Sequence, residues 1–206
     1  VDLMWSEARF EDKNTIKINR LDGADMVRAE NIILAVGTAP SRPKEVPFDD
    51  LRVVDSDGFL KLRRIPKSII IVGGGVIGVE YACMMAALGV RVILTEAREK
   101  LLEFCDSEII EALHYHMRNA GITLRLGERV DQIKITNSGL VETLLESGKH
   151  LRAETLLYSI GRQGATARLG LENVGIKADE RGRVPVGPSF QTEVPNIYAV
   201  GDVVGF

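Results

Sequence analysis

Apolar runs separated by glycine and proline breaks divide this chain into short strands and two longer helices. Ser68-Ile69-Ile70-Ile71-Val72 is a β-branched run that reads as a strand. It meets a glycine turn, Gly73-Gly74-Gly75-Val76-Ile77-Gly78, and then an apolar segment without glycine from Val79 to Leu88. The pattern predicts a helix over about 76–88 with Gly89 as its C-cap, apolar nearly all round and therefore packed on a sheet and against a neighbour. Val90 to Glu96 is the second strand. Asp106 is a good N-cap for a helix to about Ala120, closed by Gly121, and Ile109, Leu113 and Met117 at a spacing of four predict its buried stripe. Ile122 to Leu126 reads as a third parallel strand.

Beyond Gly127 the rhythm shortens. Arg129 to Ile135, Leu140 to Leu145 and His150 to Ala153 are separated by the turn signals Asn137-Ser138-Gly139 and Ser147-Gly148-Lys149, which predicts an antiparallel meander in place of a second helical crossover. Glu154 to Ser159 then returns to the parallel sheet, and Gly161-Arg162-Gln163-Gly164 leaves its carboxyl end, the edge where open α/β sheets bind ligands.

The flanks differ from this middle. Thr15 to Ile18 and Met26-Val27 predict a hairpin around Leu21-Asp22-Gly23, Asn31 to Val36 predicts a third strand, and Pro43 to Pro47 reads as a linker. Ser56 or Asp57 is expected to cap a short helix through Leu62. After Ala165 the chain is rich in loops and ends on a strand from Asn196 to Val200, followed by Gly201-Asp202.

Composition narrows the function classes. A chain of 206 residues can bury a substantial core, and a net charge of −3 without a basic cluster argues against nucleic acid as a partner. The apolar stretch from Ile69 to Leu94 contains Glu80, Arg91 and three glycines at its start, which argues against a membrane span. No signal peptide is read. Cys83 and Cys105 lack the spacing of a redox pair or a zinc site, so reduced thiols and a cytoplasmic location are expected. Cys83 is expected in the core. His114 and His116 stand two apart on a helix and point in different directions, which argues against a shared metal.

Strand, glycine turn, helix, and second strand ending on an acid is the order that a dinucleotide-binding βαβ unit requires. Gly73 permits the tight turn, Gly75 leaves bare backbone for a pyrophosphate, and Gly78 lets the helix approach the sheet. The phosphates then meet free N–H groups at the helix N-terminus, where the peptide dipoles favour negative charge. Glu96 can accept hydrogen bonds from the ribose hydroxyls, which points to NAD. Arg98, two residues on, is either a partner for the 2′-phosphate of NADP or a solvated surface cation. Asp202 is either a holder of a polyol hydroxyl or an ordinary turn aspartate.

Together the pieces resemble the flavoproteins with two dinucleotide-binding domains, the family of glutathione reductase and dihydrolipoamide dehydrogenase. The resemblance rests on Ala35-Val36-Gly37-Thr38 with Pro40, on Gly73 to Glu80, on Gly161-Arg162, and on Thr192-x-x-Pro195-x-Ile197-Tyr198-Ala199-x-Gly201-Asp202. It implies an α/β fold in which a Rossmann-like NAD(P)-binding domain, with parallel sheet and antiparallel β-meander, is flanked by pieces of an FAD-binding domain. On that scheme residues 1–43 end a first FAD-domain segment, 44–165 are the NAD(P) domain, and 166–206 begin a second FAD-domain segment. Gly73, Gly75, Val76, Ile77, Gly78 and Glu80 would frame the pyrophosphate loop. Glu96, with Arg98 beside it, would hold the ribose, and Val130 and Gly161 would line the adenine and nicotinamide ends. Gly37 and Asp202 would serve FAD, Asp202 on the ribityl chain.

Finer details are similar to the branch of that family made up of the soluble transhydrogenases. They are Leu101 to Glu108, Tyr115-His116, Leu156-Leu157-Tyr158 and Gly161 to Gly164, the last standing where dihydrolipoamide dehydrogenases usually carry a proline. This implies hydride exchange between NAD(H) and NADP(H) at one site through bound FAD, in a homo-oligomeric full-length protein. The family's N-terminal FAD glycine fingerprint, redox cysteine pair and C-terminal domain with its catalytic histidine are not in these residues. We therefore expect a piece of a longer protein, without a catalytic residue of its own and inactive alone. A disulfide oxidoreductase of the dihydrolipoamide dehydrogenase type and a non-catalytic NAD(P)-binding module are the alternatives.

Overall fold

The structure, a computed structural model, describes residues 1–20 and 23–205. It divides into two compact units, one from Val1–Ala39 together with the chain from Arg162 onward, the other Pro40–Gly161. Each has its own apolar core.

The first unit opens with three antiparallel strands, β1 (Glu7–Asp12), β2 (Thr15–Arg20) and β3 (Gly23–Arg28), in that spatial order. The expected hairpin is β2–β3, with Lys17 opposite Met26; Leu21 and Asp22 of its expected turn lie outside the described residues. β1 has no counterpart among the strands expected from sequence, because only Phe10 of its six residues faces inward. β4 (Ile32–Leu34) does not join these strands. It pairs in parallel with β15 (Ile197–Ala199), far along the chain, burying Ile32 and Leu34 and leaving Ile33 exposed.

The second unit carries the parallel sheet. After β5 (Thr38–Pro40) come β6 (Val53–Val54) and the one-turn helix α1 (Ser56–Phe59). Its cap is Asp55, not the expected Ser56 or Asp57, and the helix stops at Phe59 rather than Leu62. Asp55 has the extended backbone of an N-cap, and its carboxylate accepts the N–H groups of Asp57 and Gly58 at 3.0 and 2.7 Å. Arg42 binds the same carboxylate and that of Asp50, and its guanidinium lies over the Phe48 ring. These contacts fasten the segment after Pro40 to the start of α1.

There follow β7 (Ser68–Val72), α2 (Val76–Ala87), β8 (Arg91–Glu96), α3 (Ser107–Asn119), β9 (Thr123–Leu126), the meander β10 (Val130–Ile135), β11 (Val141–Leu145) and β12 (His150–Ala153), and β13 (Thr155–Tyr158). The sheet order is β6-β13-β7-β8-β9, all parallel. Alternate side chains of β7 explain why every residue of it is apolar after Ser68. Ile69 and Ile71 pack on Val79, Ala82 and Met85 of α2, while Ile70 and Val72 pack on Ile133, Val141 and Leu151 of the meander. Helices cover one face of the sheet and the meander covers the other. This is a Rossmann-like α/β unit with a β-meander, as expected.

Three expectations about the helices fail. The buried stripe of α3 is Ile110, His114 and Met117; Met117 stands as expected and Leu113 is half-buried against the same core, but Ile109 is 65% exposed. A spacing of four drifts around a helix of about 3.6 residues per turn, whereas steps of four and three hold one face. α2 is buried on one side only: Val76, Met84 and Leu88 are exposed, and so is Cys83. Glu80 stands in the second turn of α2 and is exposed.

The chain then returns to the first unit through β14 (Arg162–Gly164), paired with β5, where Arg162 donates from Nε to Thr38 Oγ1 at 2.7 Å and from Nη2 to the Thr38 carbonyl at 2.8 Å. Phe10, Ile32, Leu34, Leu171, Ile197 and Val203 meet in its core, so residues from both ends of the chain make one interior.

Candidate functional site

At the carboxyl end of the parallel sheet lies a cleft of about 510 Å³, lined wholly by residues of the second unit. The expected residues Gly73, Gly75, Glu96, Arg98, Val130 and Gly161 are in its wall. Val76, Ile77, Gly78 and Glu80 follow on α2 without lining it. Gly37 and Asp202 belong to the other unit.

Each glycine of the turn meets a different constraint. Gly73 has φ +109°, a conformation that L side chains rarely adopt, and its N–H donates to the Thr95 carbonyl at 2.9 Å. A Cβ on Gly78 would overlap the Gly73 carbonyl oxygen, so the first turn of α2 rests directly on the turn that precedes it. Gly75 is the opposite case: no atom lies within 4 Å of where its Cβ would be. It is the extended N-cap of α2, and no side chain caps the first N–H groups of the helix. The middle glycine, which the sequence analysis assigned no role, is also constrained: a Cβ on Gly74 would overlap the fully buried Leu101.

Glu96 ends β8 and is 8% exposed. Its Oε2 accepts the Gly74 N–H at 2.5 Å and Arg98 Nη2 at 3.1 Å, and its Oε1 accepts the Arg98 backbone N–H at 3.0 Å and Arg98 Nε at 2.9 Å. Burial pushes the carboxyl up, but the Arg98 side chain and the two backbone donors outweigh it and hold the group below its usual range. Arg98 is raised in turn, chiefly by its hydrogen bonds to Glu96. It is thus neither a free cation nor a purely solvated one; it also stands 3.6 Å from Glu103.

Other wall residues were not among the site residues expected from sequence. Ser159, just past β13, donates from Oγ to the carbonyls of Val72 and Gly73 at 2.9 and 3.2 Å and so braces the glycine turn from the neighbouring strand. Tyr158 packs edge-on against Phe48, and burial pushes its phenol up. Their position at a strand end was the available signal. Glu128, on the loop after β9, is tied down by Lys149 and lets its carbonyl accept from Thr95 Oγ1 at 2.8 Å.

Among the described residues no three metal-ligating side chains gather, and no helix is long and apolar enough to cross a membrane. His114 is buried on α3, while His116 is exposed.

A parallel sheet, a glycine turn into an uncapped helix and an acid at the end of the next strand define the class, a Rossmann-like α/β protein. More particularly, the chain belongs to the pyridine nucleotide-disulphide oxidoreductase family, whose pattern matches residues 1–205. It is 48% identical to the soluble pyridine nucleotide transhydrogenase of Mycobacterium bovis and 44% identical to that of Colwellia psychrerythraea, in each case over 100% of this chain and 44% of the relative. Among solved structures it is similar to the HOCl-induced flavoprotein disulfide reductase RclA of Escherichia coli, with a TM-score of 0.90 and 32% identity over 99% of this chain and 46% of that one. LpdA of Mycobacterium tuberculosis gives a TM-score of 0.89 and 25% identity over 98% of this chain and 45% of that one. The chain thus spans less than half the length of the relatives it matches.

Proposed function

We propose that the unit from Pro40 to Gly161 binds nicotinamide dinucleotides in the cleft, and that the complete protein exchanges hydride between NAD(H) and NADP(H) through FAD. The observation that carries this is the pair Glu96–Arg98 beside the open N-terminus of α2: one acid suited to a ribose diol and one arginine suited to a 2′-phosphate, in one place. The open backbone at Gly75 fits a pyrophosphate, which a side chain there would displace. Val130 and Gly161, both in the cleft wall, are assigned on the same reading to the adenine and nicotinamide ends.

The first unit is proposed as two segments of an FAD-binding domain. Gly37, with φ +64° and no atom within 4 Å of a Cβ, gives backbone access, and the exposed Asp202 offers a carboxylate for the ribityl chain. FAD, when bound, supplies the two-electron acceptor that no side chain here provides. What these residues do is bind and orient: the α2 N-terminus takes phosphate charge, Glu96 and Arg98 select the adenosine end, and the cleft walls limit water. We place the activity in the reducing cytoplasm, with the complete protein homo-oligomeric.

The test uses the full-length protein carrying this chain, loaded with FAD. NADPH oxidation coupled to reduction of an NAD⁺ analogue, with no dithiol or disulfide present, is expected. Turnover only with a disulfide or dithiol substrate would overturn the transhydrogenase assignment. It would favour the disulfide-reductase alternative, to which the printed title of the similar RclA structure gives weight.

A further inference from the structure

A carboxylate has about four acceptor positions on its two oxygens. In Glu96 all are taken: two by the N–H groups of Gly74 and Arg98, two by the Arg98 guanidinium. No position is left for a sugar diol. The backbone donors are fixed by the glycine turn and the strand end, whereas the Arg98 side chain is 45% exposed and can move. Admission of a ribose diol to Glu96 therefore requires the guanidinium to yield. Its remaining contact is Glu103, 51% exposed on the segment between β8 and α3 and 3.6 Å from Arg98 Nη1.

Building on the assignment of the cleft to nicotinamide dinucleotides, we infer that Arg98 is a shuttle and that Glu103 is its second station, a positioning residue that sets the balance between NAD and NADP. When a 2′-hydroxyl nucleotide occupies Glu96, Glu103 receives the displaced guanidinium. When a 2′-phosphate enters, it draws the guanidinium to itself, and Glu103 becomes a competitor and a like charge nearby. Glu103 thus favours NAD and disfavours NADP without needing to touch either.

The consequence is a pair of changes with opposite signs, which loss of a merely structural residue does not produce. Calorimetric titration of the full-length protein with NAD⁺ and with NADP⁺ avoids flavin turnover. Glu103→Gln is expected to weaken NAD⁺ binding about threefold and to tighten NADP⁺ binding about threefold, the size set by an exposed ion pair. Arg98→Ala is expected to weaken NADP⁺ and to leave NAD⁺ bound as tightly or more tightly, since no guanidinium then occupies Glu96, and adding Glu103→Gln to it should no longer affect NAD⁺, because the residue acts through Arg98. Changes in the same direction for both nucleotides, no change, or an NAD⁺ effect that survives in the double variant would overturn the inference. Failure of the wild-type protein to bind either nucleotide would instead overturn the assignment of the cleft.

Discussion

Gly78 and Gly75 lie three residues apart and predict opposite outcomes for the same substitution. Alanine at Gly78 drives a methyl group into the Gly73 carbonyl oxygen, a backbone atom that no side-chain rotation can move aside. We expect a loss of about 3 kcal/mol or more by chemical unfolding, at the upper end for overpacked sites. Alanine at Gly75 meets open space and should cost less than about 1 kcal/mol, the usual range for a poorer N-cap, while weakening nucleotide binding at least tenfold; equal losses of stability would refute this division of roles. Glu96 gives a pH dependence. Its folded pKa is depressed below the ordinary 4.5, so its hydrogen bonds contribute fully above that value and are lost as pH falls through the lower folded one. The stability difference between wild type and Glu96→Gln, about 1–3 kcal/mol at neutral pH, should therefore shrink as the pH falls below the ordinary 4.5 and through the lower folded value. A constant difference across that range would count against the pairing. The outer glycines and Glu96 were legible because spacing after a β-branched run identifies them. Gly74 was not, since its constraint is Leu101, a residue 27 positions away whose contact no local pattern encodes.

At the scale of elements, α3 decides between two readings of one sequence. Ile109 and Ile110 are neighbours of the same size, one 65% and the other 2% exposed. Ile110→Ala should cost about 2–4 kcal/mol and Ile109→Ala less than about 0.5 kcal/mol in denaturant unfolding; the reverse order would restore the expected stripe. The buried position between Ile110 and Met117 is His114, whose Nε2 has no hydrogen-bond partner among the described residues and whose pKa is pushed down by burial. A histidine is a poor marker of a core in a hydropathy pattern, which is why the stripe was read through Ile109 and Leu113 instead of Ile110 and His114, with Met117 common to both. Strand β7 was read correctly because burial on both faces leaves an uninterrupted apolar run. β1 escaped notice for the converse reason, since a strand with one inward residue has almost no pattern to detect.

For the whole molecule, the distribution of cores predicts autonomy. Both cores of the Pro40–Gly161 unit are built from its own residues, among them Ile70 and Ile71 on opposite faces of one strand. That segment expressed alone should unfold cooperatively, with coincident transitions by circular dichroism and fluorescence. Residues 162–205 alone should show no such transition, because β15 pairs with β4 and the core there includes Phe10, both supplied from the other end of the chain. Cooperative unfolding of that tail would show that the first unit is not one body. The sequence by itself determined the parallel βαβ order, the meander, the glycine turn and the acid at the end of β8, because these depend on periodicities and spacings within some thirty residues. Tertiary structure alone decided that β4 pairs with β15, that Leu101 requires Gly74, and that Arg98 lies across Glu96 with Glu103 beside it. Those outcomes depend on which surfaces meet after the chain has folded back, and on which donors reach a carboxylate once water has been excluded from it.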